Sequence, residues 1–98
     1  MKLIDLLREV KDEHLTKSQL EDYHTKLSAL FGDIQLEMAD LKKKKAIFEA
    51  SDPNDSVAKM KVRWKATPEG QRLIELEGYG RATNTQLRSL KNRLYAMY

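Results

Sequence analysis

The chain has 98 residues, no cysteine, 18 lysines and arginines against 15 aspartates and glutamates, and a formal net charge of +3. That length predicts one domain, 1–98, with one modest core and no room for a deep substrate cavity. The missing cysteines exclude disulfide frameworks, Cys-zinc sites and thiol nucleophiles. They also fit a reducing compartment. No apolar run approaches the ~20 residues of a membrane span, and Asp5 interrupts the start before a signal-peptide core can form. A cytoplasmic location is expected.

In chain order, residues 2–14 read as a short amphipathic helix, because Leu3, Leu6, Leu7 and Val10 recur at spacings of three and four. Thr16 then starts a second helix. Gln19 completes a Thr-x-x-Gln capping box, and Leu15 and Leu20 occupy the hydrophobic-staple positions. This helix is predicted over 17–49. Leu20, Leu27, Ile34, Leu41 and Phe48 fall seven apart, with Tyr23, Leu30, Phe31 and Met38 beside them. Such a stripe belongs to a rod of roughly 50 Å packed lengthwise on another helix.

Ser51 to Ser56 is a break, and Asp52-Pro53 is a helix-start signal, which predicts a third helix over 53–66. Residues 57–66 read two ways. Val57, Met60 and Trp64 fit a helical face, while Lys59 to Lys65 alternates as a strand would. Helix is favoured, since a lone strand would have no partner. Thr67-Pro68-Glu69 repeats the start signal. A stripe of Leu73, Leu76, Gly80, Thr83, Leu87, Leu90, Leu94 and Met97 then predicts a fourth helix over 68–98, with Gly78 and Gly80 marking a place where it can stay whole, kink or break.

The fold class expected is all-α: an antiparallel long-helix hairpin, 17–49 against 68–98, with the short first helix folded over one end. In that register Phe48 lies near Leu73, Ile34 near the Gly80–Thr83 gap, and Leu20 near Leu94 and Met97. Leu36, Ile47, Ile74, Met97 and Tyr98 fall off the seam. Apolar residues left over in this way predict a homo-oligomer, a dimer or higher, that completes a helical bundle. The alternative cover is helix 2–14 of the same chain.

The inventory for catalysis is thin, so no enzyme is expected. Glu21-x-x-His24 has the spacing of a di-metal ligand pair but lacks the second pair that such a site needs, so neither a metal nor any other cofactor is expected. Ser18 and His24 have no acid in a suitable elbow. Gly78-Tyr79-Gly80 lacks the preceding strand and the lysine of a phosphate loop.

Charge is more informative. Residues 1–50 carry nine basic and ten acidic groups, whereas 51–98 carry nine and five, and 78–98 contains no acid. On the fourth helix Arg81, Asn84, Arg88, Lys91 and Tyr95 fall within a stripe of about 100°, beside the apolar seam. Guanidinium forks suit phosphate, asparagine both donates and accepts, and a tyrosine ring stacks on a base. Tyr79 and Thr83 are placed at the upper border. The ligand-binding candidates are therefore Arg81, Asn84, Arg88, Lys91, Tyr95 and Tyr79, with DNA, RNA, a small nucleotide or another phosphate-bearing molecule as the ligand. The competing reading is a polar flank that pairs with Glu21, Asp33 or Glu37. Two other basic groups are Lys42 to Lys45, which fan round a helix, and Lys59, Lys61, Arg63 and Lys65 around Trp64, which reads more as core than as a stacking platform.

The run from Trp64-Lys65-Ala66-Thr67-Pro68-Glu69-Gly70 through Ser89-Leu90-Lys91-Asn92-Arg93-Leu94 resembles small all-helical accessory proteins of tailed bacteriophages. The resemblance implies a protein of the host-cell cytoplasm that oligomerises, binds nucleic acid, or neutralises a host defence by binding its protein or its nucleotide signal. It carries no catalytic motif. A protein-protein inhibitor or assembly adaptor, acting on a host protein through apolar and basic helix surfaces, is the alternative.

Overall fold

A computed structural model describes residues 3–97, and within them every regular element is a helix: α1 Leu3–Glu9, α2 Lys17–Glu49, α3 Val57–Ala66 and α4 Pro68–Tyr95. The helix starts are set by side chains. Thr16 caps α2 with the full reciprocal box: its hydroxyl accepts from the Gln19 amide at 3.2 Å, and the Thr16 amide donates to Gln19 Oε1 at 2.9 Å. Segment 57–66 is the helix α3, in which Met60 and Trp64, four apart, are buried. The strand reading fails because Ser56 caps a helix, accepting from Lys59 N at 3.2 Å. The helical register leaves Val62 70% exposed.

The predicted start of that helix at residue 53 is corrected. Asp52 Oδ1 accepts from Asn54 N at 3.0 Å, and Asp55 N–H donates to the Asp52 carbonyl at 3.3 Å, so Asp52 to Asp55 is a side-chain-stabilised turn. The first helix is also shorter than the predicted 2–14. Its last turn tightens into i→i−3 bonds at Lys11 and Asp12, and the Arg93 guanidinium donates to the carbonyls of Val10, at 2.7 Å, and Asp12. Those carbonyls are satisfied from the far end of the chain, so the helix does not continue. At the other end α4 stops at Tyr95, and the predicted extension through Met97 fails. The predicted Lys2 start and Tyr98 end lie outside the described residues.

Helix α4 is unbroken through Gly78 and Gly80. Its burial follows the seam: Leu73, Leu76, Gly80, Thr83 and Leu90 are buried, opposite Leu20, Leu27, Ile34 and Leu41 of α2. Leu20 and Leu27 share one cluster with Leu90, while Ile34 and Leu41 share another with Leu73 and Leu76. The order of contacts is therefore reversed between the two helices. Phe48 packs on the same cluster as Leu73, and Leu94 on the same cluster as Leu20. Met97 does not join them, being 47% exposed.

The smaller helices close the two ends. Leu6 and Val10 of the α1 segment join Leu15, Leu20, Leu27 and Leu90. Trp64 of α3, 4% exposed, is buried with Ile34, Leu41, Leu73 and Leu76, and its ring lies 5.7 Å from that of Phe48. That position removes Trp64 as a stacking platform among the α3 lysines.

The α3–α4 corner is made by one residue. Thr67 Oγ1 donates to the Trp64 carbonyl at 2.6 Å and accepts from Gly70 N at 3.0 Å, so Thr67 ends one helix and caps the next. Gly70 lies so close to α3 that a Cβ there would stand 1.9 Å from the Trp64 carbonyl oxygen. The whole is a rod of 59 × 20 × 19 Å with a radius of gyration of 17.8 Å, against about 13 Å for a compact chain of this length. Its width is that of two helices side by side, so functional chemistry must sit on the surface.

Candidate functional site

The flank of α4 that carries the basic stripe lies beside the seam and is open to solvent. Arg81, Arg88, Lys91 and Tyr95 are exposed, and Asn84 is half-buried. Sequence reasoning offered two fates for these cations, a ligand surface or ion pairs with acids of α2. One of those acids, Glu37, goes elsewhere. Glu37 is bound by Arg72 through two parallel bonds, Nε–Oε1 at 2.9 Å and Nη2–Oε2 at 3.1 Å, with Glu75 also on Arg72 at 2.8 Å. This pairing holds the Glu37 carboxyl below the usual range and the Arg72 guanidinium above its own.

Among the described residues, no carboxylate pairs with Arg81, Arg88 or Lys91. Lys91 Nζ instead sits 5.6 Å from the centre of the Tyr95 ring, one helical turn on, so that cation and ring form one unit on the surface.

The other basic groups are differently placed. In the lysine run, Lys44 lies 3.3 Å from Asp40 and Lys45 3.9 Å from Glu49. On α3, Arg63 is paired with Asp55. By helical rotation Lys59 faces away from Lys61 and Lys65. Arg93 is spent on the α1 carbonyls. The Tyr23 hydroxyl donates to Glu9 at 2.9 Å, which raises the Tyr23 pKa and draws α1 to the α2 side of the rod.

Tyr79 is corrected. Helical rotation puts it about 160° round α4 from Arg81, and its half-buried ring packs on the Ile34–Leu41–Trp64–Leu73–Leu76 cluster. Thr83 does not border the stripe either: it is fully buried, with its hydroxyl donating to the Tyr79 carbonyl at 2.7 Å.

Sequence reasoning missed the groove beside the stripe. Phe31, Gln35 and Met38 of α2 and Glu77, Gly80, Arg81 and Asn84 of α4 line an open depression of about 240 Å³. Gly80 gives it its floor. With no side chain there, the nearest atoms to the missing Cβ are Ile34 Cγ2, 3.6 Å away, and Met38 Sδ, 3.8 Å away. The signal was present in the expected opposition of Ile34 and Gly80. Residues one, three or four positions from that point on the same side of the seam are the groove walls.

Among the described residues, no group of three His, Asp or Glu side chains is placed to hold a metal, and no helix is long and apolar enough to cross a membrane. No protein family, curated protein or solved structure matches the chain. The functional reading therefore rests on the geometry above.

Proposed function

We propose that this protein is a non-enzymatic accessory factor of phage type, acting in host-cell cytoplasm, that binds a phosphate-bearing ligand along α4. Arg81 and Arg88 hold phosphate oxygens, Lys91 adds charge, Asn84 supplies a donor and an acceptor, and Tyr95 offers a ring face. The observation that carries this reading is the set of exposed cations on one flank of α4, none of them in an ion pair among the described residues, while Arg72 on the other flank has two carboxylates. Unpaired cations in a row create a positive potential that attracts phosphate. Nucleic acid and nucleotide signals of host defence both have that chemistry. The unit that presents the flank is an antiparallel hairpin of α2 and α4, completed as a bundle by a second copy.

The test is binding to a labelled oligonucleotide and to a nucleotide panel at low and raised salt. Binding is expected to weaken as salt rises, with a slope set by the number of phosphates neutralised. The double variant Arg81→Ala/Arg88→Ala should abolish binding while its helical circular dichroism is unchanged. Equal binding by that variant refutes the reading.

A second reading has its own support. Leu36 is 73% exposed, Ile47 65% and Val62 70%, more apolar surface than a small rod needs in water. These residues suit a protein partner, either a second copy or a host protein that the chain inhibits. Ile47→Asp should then lower the sedimenting mass or the partner affinity and leave ligand binding intact. Of the other off-seam residues, Ile74 and Met97 are each 47% exposed, and Tyr98 lies outside the described residues.

A further inference from the structure

Resting on the ligand surface just described, we infer that the groove beside Arg81 receives one unpaired nucleobase of a single-stranded nucleic acid, while the α4 stripe carries its backbone. The lining is wrong for a bare phosphate, because Glu77 stands in the same depression as Arg81. It is right for a planar, neutral, polar ring. Gln35 on α2 and Asn84 on α4 each present a carboxamide, and neither side chain has a hydrogen-bond partner among the described residues. A carboxamide donates and accepts at once, as does a base edge.

Phe31 supplies the apolar wall. It falls on the α2 heptad pattern, where a core role is expected, yet it belongs to neither buried cluster and is half-exposed in the groove. An aromatic face freed from the core is what stacking on a base requires.

Size sets the occupant. At about 240 Å³ the depression is below the roughly 300–1,000 Å³ of pockets that enclose a drug-sized molecule. It has room for a ring system and leaves sugar and phosphate outside. From Arg81 to Tyr95 the stripe runs roughly 21 Å along the helix, longer than one phosphate needs. A strand uses that length and a free nucleotide does not.

The experiment compares five measurements on the full chain. A short labelled single-stranded oligonucleotide is titrated against wild-type protein and against Phe31→Ala, and wild-type protein is also titrated with an abasic sugar-phosphate strand of equal length and with a nucleoside monophosphate. Stacking losses of this type correspond to about five- to a hundredfold in affinity. The abasic strand is expected to bind wild type at least about tenfold more weakly than the intact one, and Phe31→Ala should weaken the intact strand by about fivefold or more, closing part of that gap, with the Tyr95 ring accounting for the rest. The monophosphate should bind far more weakly than the strand. Gln35→Ala, at an exposed position, provides a second variant without folding risk and should weaken the intact strand alone. Equal binding of intact and abasic strands overturns the base pocket and leaves the phosphate-binding flank standing. Binding of the monophosphate as tight as that of the strand overturns the strand assignment. Absence of binding by either strand overturns both this inference and the reading it rests on.

Discussion

Gly70→Ala is the sharpest test of how the rod is closed. The added Cβ would lie 1.9 Å from the Trp64 carbonyl oxygen, 2.7 Å from its carbon and 3.0 Å from Lys65 Cα. All three are backbone atoms, so no rotamer change relieves the clash, and ordinary contact requires the end of α3 to retreat by about 1.5 Å. That movement loosens the Thr67 cap, worth about 1 kcal/mol. It also lifts Trp64 off Phe48, Leu73 and Leu76. Full truncation of a core tryptophan costs about 3–5 kcal/mol, and a gap of only about 0.5–1 Å, if the core follows part of the movement, forfeits a quarter to a half of the contact energy, or about 1–2.5 kcal/mol. Alanine returns at most about 1 kcal/mol of helix propensity. The net destabilisation is about 1–3 kcal/mol, or roughly 5–20 °C in Tm for a chain of this size. The assay is thermal unfolding by far-UV circular dichroism, with Trp64 emission as a local reporter, since it is the sole tryptophan. A variant with unchanged Tm and an unshifted emission maximum would refute the corner geometry.

Gly78→Ala should do the reverse, because nothing lies within 4 Å of the Cβ position and α4 is continuous there; a gain of about 1 kcal/mol in denaturant unfolding is expected. Arg93→Met removes both bonds to the α1 carbonyls and should cost about 1–3 kcal/mol, with amide exchange in residues 3–12 rising well before that in α2. Glu37→Gln probes the acid limb of stability. Because Arg72 holds the folded Glu37 pKa below its unfolded value, the contribution is present above the usual carboxylate range and lost as pH falls through the folded pKa. Melting curves of wild type and variant should therefore converge in acid and differ at neutral pH.

The long-range features of this fold were legible because they are periodic. Five apolar residues seven apart on α2, and a matching stripe on α4, predict two long helices, and burial of Leu20, Leu27, Ile34 and Leu41 follows from that pattern. The Thr16 box was equally readable, since its two bonds are local. Part of what escaped was set by residues distant in sequence. Arg93 ends α1 from 83 residues away, so no local pattern could shorten that helix. Asp52-Pro53 reads as a start signal, but Asp52 accepts from Asn54 in a turn and Ser56 caps the helix instead. Gly70 reads as an ordinary first-turn residue until α3 is laid against it. In the site, the stripe from Arg81 to Tyr95 was visible from spacing, whereas the groove needed residues of α2 and α4 together. Tyr79 was placed at the upper border of the stripe, yet at 100° per residue it falls about 160° from Arg81, on the core side of α4.

The account stands or falls on where a ligand touches the rod. In an amide and side-chain NMR titration with a single-stranded oligonucleotide at low salt, the predicted perturbations are the Asn84 and Gln35 carboxamides and the Arg81 and Arg88 Nε–H groups, with the buried Trp64 indole unmoved. Perturbations confined to Lys42–Lys45 or to Lys59–Lys65, with the α4 flank silent, would contradict it.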